Sequence, residues 1–262
     1  MNNRQGYILI ALGEKYIEEA EMCANSIRKF DTERPINVLV LPEHVELAKS
    51  KNIFNDITEF KPVTKFFKNC QDGFEKYGTY PKINLIHFSR YSENIFIDTD
   101  VICQYNPNNL WQFANSRKSP FMMMGTKEDH DWHWGYIDEV SSKFGKPVPH
   151  VHGGFLYFRK NAFDFFEFCD KIAYRYDELG CKRMFRGGMC DEILFALAHA
   201  ELKCLPIEFD DFPIMTFNYD EKVKIPSKLQ THNNKELSDY IPFVHMFDRA
   251  KMKTFYKKVM KL

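Results

Sequence analysis

Two carboxylates follow an apolar segment in NIFIDTDVICQY, residues 94–105. Asp98 and Asp100 need a compensating partner, because ionised side chains are costly beside a hydrophobic core. Alternate residues of an extended chain point to the same side, so the two carboxylates can reach one ion. Such oxygen ligands suit Mg²⁺ or Mn²⁺, which in turn bind diphosphate oxygens. The spacing therefore predicts a divalent-metal site that neutralises a departing phosphate group.

The segments around this pair predict an α/β fold with a parallel sheet. Residues 6–12 and INVLVL (36–41) have the length and apolar character of buried strands. Between them, residues 15–30 have a helical apolar face, made of Ile17, Ala20, Ala24 and Ile27. Strand, helix and strand in succession indicate a βαβ unit. Ligands bind at the carboxyl ends of such strands, so Asp98 and Asp100 should lie at that edge.

The rest of the chain continues the same pattern without a linker. We predict helices at residues 43–51, 80–88, 162–176 and 191–200, and strands at 94–98 and 153–159. Short strands or ordered loops are expected at 202–209, 214–219 and 243–247, and an amphipathic basic tail at 249–262. One α/β domain is the economical interpretation.

Composition excludes some classes of protein. The 262 residues carry 36 Lys and Arg against 36 Asp and Glu, so a broad nucleic-acid surface is not expected. Seven cysteines show no CxxC spacing, and no apolar segment is long enough for a signal sequence or a transmembrane helix. These features predict a cytoplasmic protein with free thiols.

NIFIDTD, preceded by a helix that carries a lysine, resembles the DxD region of GT-A glycosyltransferases, closest to the glycogenin and lipopolysaccharide galactosyltransferase type. The resemblance implies one GT-A, Rossmann-like domain over residues 1–262, with a mostly parallel sheet flanked by helices. Residues 1–105 would be the nucleotide-binding half. Residues 106–262 would form the acceptor half and supply a C-terminal metal and diphosphate segment.

Several residues match the donor-binding parts of this family. The resemblance implies that Leu12 and Tyr16, beyond the first strand, cradle the nucleotide base, and that Thr99 joins the acidic pair in binding the donor. Lys82, in YPKINL, is expected to face the nucleotide or the sugar. His152, Gly153 and Gly154 resemble the family's Asn-Ala-Gly segment beneath the donor sugar.

Two further motifs complete the resemblance. Asp191 and Glu192 resemble the family's Asp-Gln pair at a helix start, which implies a catalytic or hydroxyl-orienting role. His245 and Lys251 keep the spacing of His-x-x-Gly-x-x-Lys, whose histidine completes the metal site and whose lysine holds the diphosphate. Asp248 replaces the glycine and Met252 replaces the usual proline, so this match is partial.

The implied activity is transfer of a sugar from a nucleoside-diphosphate sugar to an acceptor hydroxyl. The expected cofactor is Mn²⁺ or Mg²⁺, held by Asp98, Asp100 and His245, with a UDP-sugar as the expected donor and a carbohydrate or other hydroxyl compound as the acceptor. The resemblance to glycogenin suggests retention of configuration. An inverting enzyme would instead use Asp191 or Glu192 as a base.

Other interpretations remain open at this point. A haloacid-dehalogenase-type phosphatase also has an apolar strand that ends in DxD, with Asp210 and Asp211 as a distal acidic pair. A non-catalytic domain that binds nucleotide-sugars or carbohydrate is a third hypothesis. As structural roles, the Asp98 segment could form a turn, Asp191 could cap its helix, and His245 could be an ordinary strand residue.

The aromatic segment EDHDWHWGYIDE (128–139) contains a second triplet, Asp129-His130-Asp131, which we interpret as a surface loop. Its rings could bind an acceptor sugar. A zinc site is less favoured because no cysteine joins the histidines at a known spacing; its ligands would be His130, His133, His150 and His152. The basic tail is expected to be a solvated helix rather than a membrane contact.

Overall fold

The computed structural model describes residues 5–61, 78–125, 131–132, 135–184, 187–208, 211–217 and 241–261. Its strands are β1 Gln5–Ile10, β2 Ile36–Val40, β3 Asp56–Glu59, β4 Glu93–Ile97, β5 Val101–Cys103, β6 Phe121–Met122, β7 Asp131–Trp132, β8 Gly135–Tyr136, β9 Phe155–Arg159, β10 Met215–Phe217 and β11 Phe243–His245. Its α-helices are α1 Glu14–Phe30, α2 Val45–Ser50, α3 Tyr80–Ile83, α4 Leu85–Phe88, α5 Asn108–Ser116, α6 Ile137–Phe144, α7 Phe163–Ala173, α8 Asp191–Glu201 and α9 Arg249–Lys261.

The central sheet has six strands in the order β3-β2-β1-β4-β9-β6. β1 pairs in parallel with β2 and β4, and β2 pairs in parallel with β3, whereas β9 runs antiparallel to β4 and β6. All five residues of β2 and of β4 are buried, as expected for strands covered by helices on both faces. The predicted α/β fold with a mostly parallel sheet is confirmed.

A second, three-stranded sheet joins the C-terminal segment to the acidic pair. β11 pairs in parallel with β10 and antiparallel with β5, which begins directly after Asp100. In this register His245 lies opposite Val101. Two segments that are more than 140 residues apart in the sequence therefore meet beside the carboxyl end of β4.

The helices follow the predicted apolar patterns. Ile17, Ala20, Ala24 and Ile27 of α1 are all buried. Helix α9 packs on α1, and its buried residues Met252, Phe255 and Val259 form a small apolar cluster with Ile102, Val244 and Met246. In the part of the chain that is described, no helix is both long and apolar enough to cross a membrane.

Some local predictions needed correction. The helix expected over residues 80–88 is two short helices, because the side-chain amide of Asn84 donates to the carbonyl oxygen of Tyr80 (3.2 Å) and competes with the helical backbone pattern. Residues 202–208 contain no strand beyond an isolated bridge of Ile207 to Met124, so the strand alternative there was wrong. β3 was not predicted, because Asp56–Glu59 is short and polar.

Candidate active site

The chain after β4 positions the acidic pair through backbone hydrogen bonds. The N–H of Asp98 donates to the carbonyl of Gly154 (3.1 Å), and the carbonyl of Asp100 accepts from the N–H of Met246 (2.8 Å). The residues adjoining β9 and β11 therefore hold this segment from two sides. The Asp98 and Asp100 side chains are partly exposed, whereas Thr99 between them is buried and points towards Glu19, with 3.5 Å between Oγ1 and Oε2.

His245 completes a possible metal-binding set with the acidic pair. Its Nε2 lies 2.9 Å from Oδ1 of Asp100. One ligand atom each from Asp98, Asp100 and His245 can be chosen so that all three lie within 4.8 Å of one another. Two carboxylate oxygens and an imidazole nitrogen are suitable ligands for a cation such as Mn²⁺. The residues present therefore fit the predicted divalent ion.

Lys82 links the acidic pair to helix α8. Its Nζ lies 2.9 Å from Oδ1 of Asp98 and 3.0 Å from Oδ2 of Asp191. Burial lowers the pKa of Lys82, but the adjacent Asp191 and Asp98 carboxylates outweigh it, so the net pKa is raised and the amine stays charged. Lys82 therefore lies beside the acidic pair, and its contact with the nucleotide or the sugar stays a prediction.

The two acids of the DxD segment have opposite pKa shifts. Burial raises the pKa of Asp98, and the charge of Asp100 adds to that effect while Lys82 opposes it. Burial also acts on Asp100, but the hydrogen bond and charge of His245 outweigh it and hold the pKa of Asp100 below its usual range. Asp100 is therefore ionised at neutral pH, as a metal ligand must be.

The acids at the start of helix α8 lie on the other side of Lys82 from the DxD segment. Asp191 and Glu192 are the first residues of α8 and are buried. Oε1 of Glu192 accepts the N–H of Gly153 (2.9 Å). Burial, followed by the charge of Asp191, raises the pKa of Glu192 to about 8. Glu192 is therefore mainly protonated at neutral pH.

Two consecutive glycines make room for these two groups of side chains. A Cβ on Gly153 would lie 2.7 Å from Oδ2 of Asp191 and 2.9 Å from Cγ of Glu192. A Cβ on Gly154 would lie 2.7 Å from Cε1 of His152 and 3.3 Å from Cε1 of His245. At distances below 3.0 Å the neighbouring side chains would have to shift, so any larger residue at these two positions would displace the acids or the histidines, before any sugar is considered.

The remaining predicted residues lie around this centre. Leu12 is in the core beyond β1, and Tyr16 is 46% exposed in the first turn of α1. Lys251 is in the first turn of α9, where its backbone N–H donates to Asp248 (3.1 Å). His152 is buried against His245.

Glu19 and Arg249 were missed by the sequence analysis. Glu19 is only 4% exposed, and its Oε1 lies 3.5 Å from Nε of Arg249. Burial raises the pKa of Glu19. Together these residues connect α1, the start of α9 and Thr99. Glu19 lies next to the apolar stripe of α1 in the sequence, and nothing in that stripe distinguishes it from a surface acid.

Part of the aromatic segment lies outside the described residues. Asp129, His130, His133 and Asp210 are among the residues that are not described, so the second acidic triplet, the alternative zinc site and the distal acidic pair stay predictions. Residues 131–132 and 135–136 form a two-stranded hairpin, β7 and β8.

Comparisons with known proteins agree with this geometry. The sequence profile of glycosyl transferase family 8 matches residues 7–170, which is more than half of the chain. No curated protein matches the sequence.

Solved structures with the same fold cover nearly the whole chain. One is galactosyltransferase LgtC in complex with donor and acceptor sugar analogs, with 13% identity, a TM-score of 0.61, and coverage of 98% of this chain and 96% of that chain. Another is mouse xyloside xylosyltransferase 1 in its apo form, with 11% identity, a TM-score of 0.53, and coverage of 95% and 98%. At these identities the likeness supports the fold alone.

The family match covers β1, α1, the lysine-bearing helix α3, the DxD segment and the paired glycines, and it favours a transferase over the phosphatase alternative. Enzymes of this family use nucleotide-sugar donors and a divalent metal. The chain belongs to glycosyl transferase family 8 and is a nucleotide-sugar glycosyltransferase.

Proposed function

We propose that Asp98, Asp100 and His245 hold Mn²⁺ or Mg²⁺ and that the donor is a UDP-sugar. The observation that carries this proposal is the convergence of three ligand atoms within 4.8 Å at the carboxyl end of β4. When bound, the cation neutralises the diphosphate that leaves the sugar. Of the two ions, Mn²⁺ suits the imidazole nitrogen of His245 better, because Mg²⁺ favours oxygen ligands.

The charge of the site supports binding of a dication. Three aspartates face one lysine, which leaves an excess of negative charge. These groups are Asp98, Asp100, Asp191 and Lys82. A dication would neutralise this charge and offset the cost of burying it.

Lys82 is proposed to organise the donor side of the site. An ammonium has three N–H donors. Oδ2 of Asp98 accepts one of them (3.1 Å), and Oδ2 of Asp191 forms an ion pair with the amine (3.0 Å), so a substrate oxygen can accept another N–H. Its positive charge also stabilises negative charge that develops as the diphosphate leaves.

Asp191 and Glu192 are assigned different tasks. Glu192, with a pKa of about 8, is a hydrogen-bond donor at neutral pH, so we propose that it orients a sugar hydroxyl and does not accept the acceptor's proton. Asp191 is ion-paired with Lys82 and would orient the donor hydroxyls. No strong base is then assigned to the acceptor, which favours the retaining reaction suggested by the resemblance to glycogenin.

The nucleotide and the acceptor are assigned to opposite parts of the chain. We propose that residues 1–105 bind the nucleotide, with Leu12 and Tyr16 near the base and Thr99 near the diphosphate through its backbone. Lys251 would contact the diphosphate from α9. Residues 106–262 would bind a carbohydrate or another hydroxyl acceptor, and Gly153 and Gly154 would lie beneath the donor sugar.

Metal-dependent thermal stabilisation by nucleotides tests the proposal. UDP with Mn²⁺ should raise the Tm, while either alone should raise it much less, because the diphosphate and the ion complete each other's coordination. Phosphate with Mn²⁺ should have little effect. Equal stabilisation by UDP with and without Mn²⁺, after removal of residual metal, would refute the metal assignment.

Release of nucleotide from a nucleotide-sugar, by hydrolysis or transfer, distinguishes an enzyme from a domain that only binds. Asp100→Ala should abolish release of UDP from UDP-sugars, whereas Asp138→Ala, a matched exposed aspartate, should retain it. A panel of UDP- and GDP-sugars with released nucleotide as the readout would identify the donor. Failure of every nucleotide-sugar to release nucleotide would contradict the activity.

A further inference from the structure

We propose that His152 is a positioning residue that fixes the orientation of His245 at the metal site. The inference rests on the proposed metal site. It concerns a residue that the usual Asn-Ala-Gly segment of this family does not contain. Here a histidine stands at the first of those three positions.

Contacts on its two ring nitrogens hold His152 in place. Its Nδ1 accepts the N–H of Gly154 (3.1 Å). Its Nε2 lies 3.3 Å from Nδ1 of His245, within hydrogen-bond distance. With Nδ1 accepting, a neutral His152 carries its proton on Nε2 and donates to Nδ1 of His245. When Nε2 of His245 holds a metal ion, its Nδ1 carries the proton instead, and Nε2 of His152 is the acceptor.

Packing fixes the same pair of rings. The centroids of His152 and His245 are 5.0 Å apart, and their planes meet at 79°. The rings are nearly inaccessible, at 6% and 5% exposure. Gly154 is also required for this arrangement, because a Cβ there would overlap with His152 and press on His245.

These contacts form a chain that begins beside β9 and ends at Asp100. It runs from the backbone N–H of Gly154, which adjoins β9, through His152 and His245 to Asp100, whose Oδ1 lies 2.9 Å from Nε2 of His245. Groups that hold the distal nitrogen of a metal-binding histidine orient it, and their loss costs about 10–100-fold in metal affinity. His152 has this position relative to His245.

Three substitutions separate hydrogen bonding from packing. His152→Gln places an amide near the position of Nε2, whereas His152→Asn reaches only the position of Nδ1 and does not reach His245. His152→Phe keeps a ring but has no polar atom. His87→Asn, on an exposed histidine of α4, is the matched control. Melting curves of each variant establish that it is folded.

The probe is Mn²⁺ itself, titrated against the full chain with and without UDP and followed by the electron paramagnetic resonance signal of free Mn²⁺. We expect His152→Asn and His152→Phe to weaken Mn²⁺ binding about 10-fold or more, and His152→Gln to stay within about 3-fold of the parent. In the two weakened variants the ¹⁴N electron spin-echo modulation from a coordinated imidazole should also decrease, as in His245→Gln.

Each other outcome has a distinct meaning. If the parent binds Mn²⁺ with imidazole modulation and the Asn and Phe variants match it in affinity and modulation, the role of His152 is refuted while the metal site stands. If Phe retains binding and Gln loses it, packing rather than hydrogen bonding is responsible and the inference fails. If the parent binds no Mn²⁺ with or without UDP, the proposed metal site fails and the inference falls with it.

Discussion

Two pairs of acids lie on either side of Lys82, and their charges are compensated in different ways. The rim pair, Asp98 and Asp100, follows a strand, and its second member is bonded to His245, which lowers the pKa of Asp100. The helix pair, Asp191 and Glu192, begins α8, and burial raises the pKa of Glu192 to about 8. Lys82 bridges the pairs through Asp98 and Asp191.

The comparison shows how one site can give different chemical properties to side chains of the same type. An ionised carboxylate beside an imidazole suits a metal ion, whereas a protonated carboxyl group can donate a hydrogen bond to a sugar. Environments that drive two pKa values apart in this way commonly mark different catalytic tasks. We therefore propose that the rim pair is the metal side of the site and that the helix pair is the sugar side.

The largest effect is expected on the rim pair. Asp100→Asn keeps the shape of the side chain but removes the charge, and it should reduce transfer by more than about 100-fold, since loss of a mere supporting group costs about 10–100-fold. Initial rates at saturating Mn²⁺ measure this. Asp138→Asn is the exposed control and should retain the parent rate. Near-parent activity of Asp100→Asn would remove the distinction between the pairs.

Removing the bridge between the pairs should cost stability as well as activity. Lys82→Met leaves Asp98 and Asp191 without their shared cation, and loss of one partner of a buried ion pair costs about 3–5 kcal/mol. For a chain of this size the Tm should fall by roughly 6–20 °C. Lys49→Met removes an exposed lysine and should change the Tm little. A parent-like Tm of Lys82→Met would mean that the bridge does not stabilise the fold.

The helix pair predicts a pH dependence of stability. In the unfolded chain Glu192 is solvated and has the ordinary glutamate pKa of 4.5, whereas in the folded protein its pKa is raised to about 8. The folded state therefore retains a proton that the unfolded state releases, and stability declines as pH rises from about 4.5 to 8. Glu192→Gln should flatten this decline and raise the Tm at pH 8.5 by roughly 10–20 °C. Thermal melts of the parent and the variant across this pH range measure the difference, and parallel curves would contradict it.

Activity of the same variant tests which form of Glu192 is used. If the neutral form orients a hydroxyl, Glu192→Gln should keep transfer within about 10-fold at pH 7, the scale of a conservative hydrogen-bond replacement. Glu139→Gln, on an exposed acid, is the control. A loss of about 100-fold or more would show that an ionised carboxylate is needed there.

The smallest effect concerns the edge of the metal side. Oδ1 of Asp248 accepts the N–H groups of Ala250 (2.8 Å) and Lys251 (3.1 Å), so Asp248 caps α9 in place of the family's glycine. Asp248→Gly should tighten UDP binding by about 3-fold, because it removes a negative charge near the proposed diphosphate position. Calorimetry with Mn²⁺ present measures this change, and weaker binding would contradict it.

Local patterns predicted most of the fold but not the connections between distant segments. The apolar runs that end at Ile10, Val40 and Ile97 identified three strands of the central sheet, because a strand that is buried on both faces is made almost entirely of apolar residues. No sequence pattern predicts the pairing of β5 with β11. The resemblance to the family, not periodicity, was what associated His245 with the acidic pair.

The chemical state of the site was beyond the sequence. The raised pKa of Glu192 depends on burial and on Asp191, and the contact of His152 with His245 depends on two segments that meet in space. Glu19 lacked a signal for the same reason, since its burial arises from packing against Thr99 and Arg249. The residue types predicted which chemistry was possible, and the tertiary contacts determined the protonation state and the partners of each side chain.

Anomalous diffraction from crystals grown with Mn²⁺ and UDP tests the central claim most directly. Data on either side of the manganese absorption edge should give one strong difference peak bounded by Asp98, Asp100 and His245. The distances from the ion to its ligands should be about 2.2 Å, midway between those typical of Mg²⁺ and Ca²⁺. Bound UDP with no manganese peak there, or with the peak elsewhere on the chain, would contradict the assignment of the rim pair as the metal side.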